Sequence, residues 1–155
     1  MSRKKRIIYT LIAVLIFIQL FQPTENAGIA EGENSITASA DVSGILKKAC
    51  YDCHSDHTDY PWYTHIQPVG WWLNHHVNEG KRELNFSEFK TYTLKRKLHK
   101  LKEIKKQITE GEMPMSSYTW IHTDATLNDE QKAKLLNWVQ EMTTTLTDTL
   151  PHPAL

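Results

Sequence analysis

The chain has 155 residues, 40% of them apolar and 23% charged, with 18 basic and 18 acidic side chains. That is the size and usage of one globular domain with an added segment, not of a disordered chain. The balanced charge excludes a nucleic-acid binder that works through bulk positive charge. The absence of a repeat or of a second long apolar run excludes a fibrous or polytopic membrane protein.

The first six residues carry four basic side chains, and Ile7 to Phe21 follow as an apolar run broken by Thr10 and Gln19. This is the pattern of a signal segment's basic and apolar regions. As a helix the run would span about 22 Å, short of the ~30 Å hydrocarbon core, with the basic side chains snorkelling to make up the difference. The small-x-small triplet Gly28-Ile29-Ala30 lies well beyond the run, so the expectation is an uncleaved membrane anchor over residues 1–22, with a cleaved signal and a periplasmic domain as the alternative; either way the remainder is exported. The domain would then stand on the periplasmic side of the cell membrane, with the membrane as one partner. Pro23 blocks continuation of the helix. Small and polar residues up to Ala40 read as a flexible tether, 23–40, ahead of a domain over 41–150.

In that domain Val42, Ile45, Leu46 and Ala49 have helical spacing, with Asp41 as the expected N-cap. Pro68 to Glu79 reads as a short helix stopped by Gly80. Another helix is expected to start at Ser87, with Leu94, Leu98, Leu101, Ile104 and Ile108 on one face and Gly111 at its C′ position. The last helix starts at Asn128, paired with Gln131 as a capping box, and carries the stripe Leu135, Trp138, Val139 and Met142. No long strict alternation occurs, so the fold class is all-α, with long loops near 55–67 and 112–126. Trp138 and Gly44 suggest a close helix crossing. Lys90 to Lys106 holds eight basic residues against one acid, whereas outside it and the N-terminal cluster acids outnumber bases seventeen to six. Such a strip is either a solvated helix face or a docking surface for an acidic partner.

The motif that carries chemistry is Cys50-Tyr51-Asp52-Cys53-His54. In C-x-x-C-H two thiols on one turn can each add to a vinyl group of a porphyrin, and the adjacent His can supply the proximal nitrogen to the iron. These are the only two Cys in the chain. A structural zinc site would need two further ligands at suitable spacing, and a thioredoxin-like pair would need a βαβ context. A disulfide across the pair would close a very small loop. For the sixth iron ligand the first candidate is Met113, between Gly111 and Pro114, followed by Met115 or a His: His76, His75, His65 or His122. The aromatic group Trp62, Tyr63, Trp71 and Trp72 is expected to pack against the macrocycle and exclude water from it.

The chain resembles the bacterial haem-binding domain family related to class I cytochromes c. The matching residues run from Cys50-Tyr51-Asp52-Cys53-His54-Ser55 through Tyr60-Pro61-Trp62-Tyr63, Pro68-Val69-Gly70-Trp71-Trp72, His76-Val77, Gly80-Lys81-Arg82 and Leu84-Asn85-Phe86-Ser87. Beyond these come Met113-Pro114, Tyr118, His122 and the stretch Leu127 to Trp138. The segment Ile18-Gln19 to Pro23 also looks like the family's N-terminus. The resemblance implies a cytochrome c-like helical domain wrapped around one covalent haem c. By the same resemblance Cys50 and Cys53 are the attachment sites, His54 the proximal ligand and Met113 the distal one. Met115 departs from the pattern, since such proteins tend to carry another apolar residue or Pro there.

Two functions follow. The first is a membrane-tethered carrier of single electrons between redox partner proteins, which transforms no substrate. The second is a haem sensor or peroxidase-like enzyme with an open distal site, in which His75, His76 or His122 would act as acid–base group.

Overall fold

The computed structural model describes residues 2–148. Its helices are α1 (Arg3–Ile18), α2 (Ala40–Ala49), α3 (Tyr51–His54), α4 (Val69–Glu83), α5 (Leu94–Glu110), α6 (Ser116–Thr119) and α7 (Asp129–Asp148). Short 3-10 turns lie at Trp62–His65, Phe86–Thr91 and Thr123–Ala125. Among the described residues the only extended pairing is an isolated bridge between Ala27 and His57, so the fold is all-α as expected.

Local chemistry sets most helix ends. Ser39, not Asp41, caps α2 by accepting from the Val42 N–H, and Asp41 sits in the first turn. Thr93 caps α5, so that helix starts at Leu94 and the stretch from Phe86 is a 3-10 turn capped by Asn85. Gly111 ends α5 with φ 74°, the left-handed conformation that glycine adopts without a Cβ penalty. Asn128 and Gln131 form the expected reciprocal box, at 3.0 and 2.8 Å. Gly80 does not stop α4, which runs on to Glu83. A single glycine weakens a helix by only about 1 kcal/mol, and tertiary packing overrides it here.

The core lies between α2, α5 and α7. Leu46, Leu101, Leu135 and Val139 are all but inaccessible to solvent, with Ile45, Ile108 and Trp138 around them. Burial of such side chains stabilises by roughly 1.5–3 kcal/mol each. Gly44 has open space where a Cβ would stand, so it makes no close crossing with Trp138. The Trp138 indole instead donates to the Thr37 carbonyl at 3.1 Å.

The expected membrane anchor is overturned. Among the described residues no helix is long and apolar enough to cross a membrane. The helix α1 has 16 residues, its first turn is the basic cluster, and it ends at Ile18. Beyond it the chain turns towards the domain: the Gln67 N–H donates to Gln19 Oε1 at 2.8 Å and Gln67 Nε2 to Gln22 Oε1 at 2.8 Å. Membrane tethering, the membrane as a partner and an anchored location on the periplasmic side rested on that anchor and fall with it.

Residues 23–40 lie along the helical body. The Asn26 amide donates to the Ser55 carbonyl at 3.0 Å, the Ile36 N–H to the Phe86 carbonyl at 2.8 Å, and the Ile36 side chain is buried in the core. Composition reads polar segments as loose when their few apolar residues are spaced too widely to form a stripe. Here Ile36 enters the core, and the Asn26, Ala30 and Thr37 hydrogen bonds hold the rest of the segment against the body.

Candidate functional site

The Cys50–His54 turn is locked from three sides. Cys50, with φ −130°, bends the chain between α2 and α3, and the Cys53 and His54 N–H groups both donate to its carbonyl. Tyr51 is buried and packs on Phe86, whose ring also meets the edge of His54 at 6.2 Å between centroids. α4 crosses directly behind the turn. A Cβ on Gly80 would collide with the Cys53 carbonyl oxygen, so the crossing depends on the missing side chain.

That crossing fixes the imidazole. His54 Nδ1 lies 2.9 Å from the Gly80 carbonyl and 3.0 Å from the Leu84 carbonyl. Carbonyls only accept, so Nδ1 carries the proton and Nε2 keeps its lone pair. Burial pushes the His54 pKa below its ordinary value against the two carbonyl bonds, and the nearby Lys100 charge adds to the lowering. The ring is therefore a neutral imidazole with an unprotonated Nε2, the state a metal ligand requires. Burial raises the thiol pKa of Cys50 to about 12, with Cys53 adding to it, and that of Cys53 to about 11, with the Asp52 charge adding to it. Both cysteines are free thiols and are not activated as thiolates.

The ring opens on a cleft enclosing about 830 Å³ including its mouth. Leu46, Leu84, Phe86, Ile104, Ile108 and Met113 form its apolar walls, and Cys50 and His54 line it beside them. Its charged rim is Lys100, flanked by Glu103 at 2.7 Å and Glu83 at 3.3 Å, the lysine side chain only 12% exposed. Burial alone would lower the Lys100 pKa, but the two carboxylates raise it. A second, smaller recess adjoins, lined by Cys50, Cys53, His54, Met113, Pro114, Met115 and Tyr118. Tyr118 donates to Asp52 Oδ2 at 2.5 Å, and burial followed by that bond holds its phenol protonated.

Cys50, His54 and Met113 line both the cleft and the recess, whereas Cys53 and Met115 reach only the recess. The three tryptophans do not join them. Trp62 is 76% exposed, Trp71 donates its indole N–H to the Phe21 carbonyl at 2.6 Å, and Trp72 packs on His76 at 4.4 Å. They stand on the far side of α4 and on the 62–65 turn, so the apolar walls come from α2, α5 and the 84–86 segment instead. His76 is held by Trp72, His65 faces Glu25 at 3.6 Å, and His122 lies 2.7 Å from the Tyr63 hydroxyl. None of them, nor His75, lines the cleft. On α5, sequence reasoning read Ile104 only as part of the core face and passed over Lys100, Glu103 and Gln107, which with Ile104 form a second stripe at three- and four-residue steps along the cleft.

A family model described as "Haem-binding domain" matches residues 13–141, most of the chain, and the protein belongs to that family. No curated protein and no solved structure gives a significant match. The donor set fits a haem: one neutral imidazole with a free Nε2, a pair of free thiols on the same turn, and an apolar cleft beside them.

Proposed function

We propose that this protein carries single electrons between partner proteins through one haem c, held covalently by Cys50 and Cys53. The observation that carries the reading is the locked His54 imidazole, whose Nε2 is free at the end of an apolar cleft. Bound there, a haem supplies an iron that cycles between ferrous and ferric states. The chain's own residues do the rest. His54 would hold the iron through Nε2, with the Gly80 and Leu84 carbonyls fixing its orientation and raising its donor strength. Met113 would supply the second protein ligand to the iron, and a thioether there would raise the reduction potential relative to a second imidazole. Leu46, Phe86, Ile104 and Ile108 exclude water and lower the local dielectric. The exposed ridge of α5, with Lys95, Lys102 and Lys106, offers a positive docking face to an acidic redox partner. No substrate is transformed in this reading.

The test is the visible spectrum of oxidised and reduced protein made in a host with a haem c maturation system, repeated after denaturing extraction. The expected result is haem that stays on the chain, shows a methionine–iron charge-transfer band, and is lost when Cys50 and Cys53 are both changed to Ala. Haem that washes off would sink covalent attachment. A high-spin spectrum that reacts readily with carbon monoxide would sink the closed electron carrier and favour a sensor or peroxidase.

A further inference from the structure

We propose that Asp52 and Tyr118 are positioning residues that latch the Met113 loop over the cleft and keep its distal side closed. The inference rests on the assignment of Met113 as distal ligand. The loop hangs from two points. At its start the Glu112 and Met113 N–H groups both donate to the Gln107 carbonyl, at 3.0 and 3.4 Å, which ties the chain to the end of α5. At its other end stands α6, a four-residue turn with no fully buried side chain, whose one aromatic residue, the half-buried Tyr118, reaches the recess beside the motif turn. What joins α6 to the motif turn is the Tyr118 hydroxyl donating to Asp52 Oδ2 at 2.5 Å.

Both partners of that bond are themselves held. Asp52 lies between the two cysteines, and its Oδ1 accepts from the Asp59 N–H at 3.0 Å. The Tyr118 ring stacks on His122 at 4.4 Å and 12°, and His122 Nε2 lies 2.7 Å from the Tyr63 hydroxyl. The phenol is therefore aimed, and its bond to a carboxylate is of the short, charge-assisted kind. A hydrogen bond on an ordinary surface turn could be lost without consequence. This one spans 66 positions of sequence and closes the loop that carries Met113 onto the turn that carries His54.

The discriminating variant is Tyr118→Phe, which removes one oxygen and keeps the ring that stacks on His122. In the haem-loaded full chain we expect a weakened methionine–iron band. We also expect carbon monoxide to bind the ferrous protein roughly tenfold faster, the effect of losing about 1.4 kcal/mol from a charge-assisted bond. Asp52→Asn keeps one acceptor oxygen and should fall between parent and Tyr118→Phe, whereas Asp52→Ala should match Tyr118→Phe. In the chain prepared without haem, amide hydrogen exchange over residues 112–118 should accelerate in Tyr118→Phe while α5 and α7 keep their protection. Parent-like band, carbon monoxide rate and exchange in Tyr118→Phe would overturn the latch while leaving the distal ligand intact. A band that survives Met113→Ala would instead overturn Met113 as ligand, and the latch as stated with it. Faster exchange over 112–118 in the haem-free chain would then show only that the bond holds the loop.

Discussion

The His54 and Met113 parts of the cleft are built differently. The His54 end is part of the packed fold: Tyr51 and Phe86 are buried beneath it, Gly80 admits α4 against it, and two carbonyls clamp the ring. The Met113 end is a half-buried loop tied by hydrogen bonds at its two ends. The difference teaches where rigidity is needed. A proximal imidazole must keep one tautomer and one orientation, which only packed backbone can guarantee. A distal thioether needs to reach one atom, and a tethered loop does that while leaving its strength adjustable through a single phenol–carboxylate bond.

The sharpest way to break the comparison is at Gly80. In Gly80→Ala the new methyl meets the Cys53 carbonyl, which is backbone and cannot swing aside. Overpacking of this kind costs about 1–3 kcal/mol. Because the displaced element is the motif turn itself, haem loading should fall together with the urea midpoint. Gly44→Ala, in open space on α2, is the matched control and should leave both at or above the parent value. Parent-like loading and stability in Gly80→Ala would mean that the His54 end is not the rigid one.

Met113→Ala acts on the other end and should do less to the fold. The side chain is half-buried in a loop, so its loss should cost the apo chain no more than about 1 kcal/mol. In the loaded protein it should abolish the methionine–iron band and open the ferrous iron to carbon monoxide, with the covalent haem still attached. A large fall in thermal stability of the apo chain would show that the loop carries packing that its exposure does not reveal.

The residues that were legible in the sequence were those whose role is local. C-x-x-C-H places both thiols and the imidazole within one turn, and Gly111 and Asn128 announced their helix ends because caps are decided by near neighbours. The residues that escaped depend on which elements meet. Gly44 and Gly80 look alike in sequence, yet only Gly80 lies where another backbone arrives. Five tryptophans suggested a wall for a flat ligand, but aromatic residues carry no address, and Trp62, Trp71 and Trp72 went to the outside of α4 and the 62–65 turn. The stripe on α5 that does line the cleft was masked by its lysines, because a partly buried Lys100 held between two carboxylates reads in sequence as another solvated charge. The anchor reading failed for a related reason: hydropathy counted the apolar run, whereas the helix stops at Ile18 and the glutamines beyond it turn to Gln67.

The smallest effect expected is electrostatic, and it separates the two ends by pH. Asp56 braces the His54 end: its Oδ1 accepts from Lys81 Nζ at 2.9 Å and from Asn85 Nδ2 at 2.9 Å. Burial works to raise the Asp56 pKa, but the hydrogen bonds from Lys81 and Asn85 and the Lys81 charge outweigh it and hold the carboxyl below its ordinary value. The unfolded chain therefore binds the proton more readily than the folded one. The stabilisation is fully present above the ordinary aspartate value of about 3.9, and it is lost as pH falls through the lower folded value. For a pair of this exposure the amount is about 1 kcal/mol or less. Asp56→Asn has no such proton to bind, so its urea midpoint should fall less steeply than the parent's as pH drops through roughly 4 and below. Amide exchange over 112–118 should be unchanged in the same variant, because nothing in this pair touches the Met113 loop. Parallel acid limbs would remove Asp56 from the brace, and faster exchange over 112–118 would mean that the two ends are coupled rather than independently held.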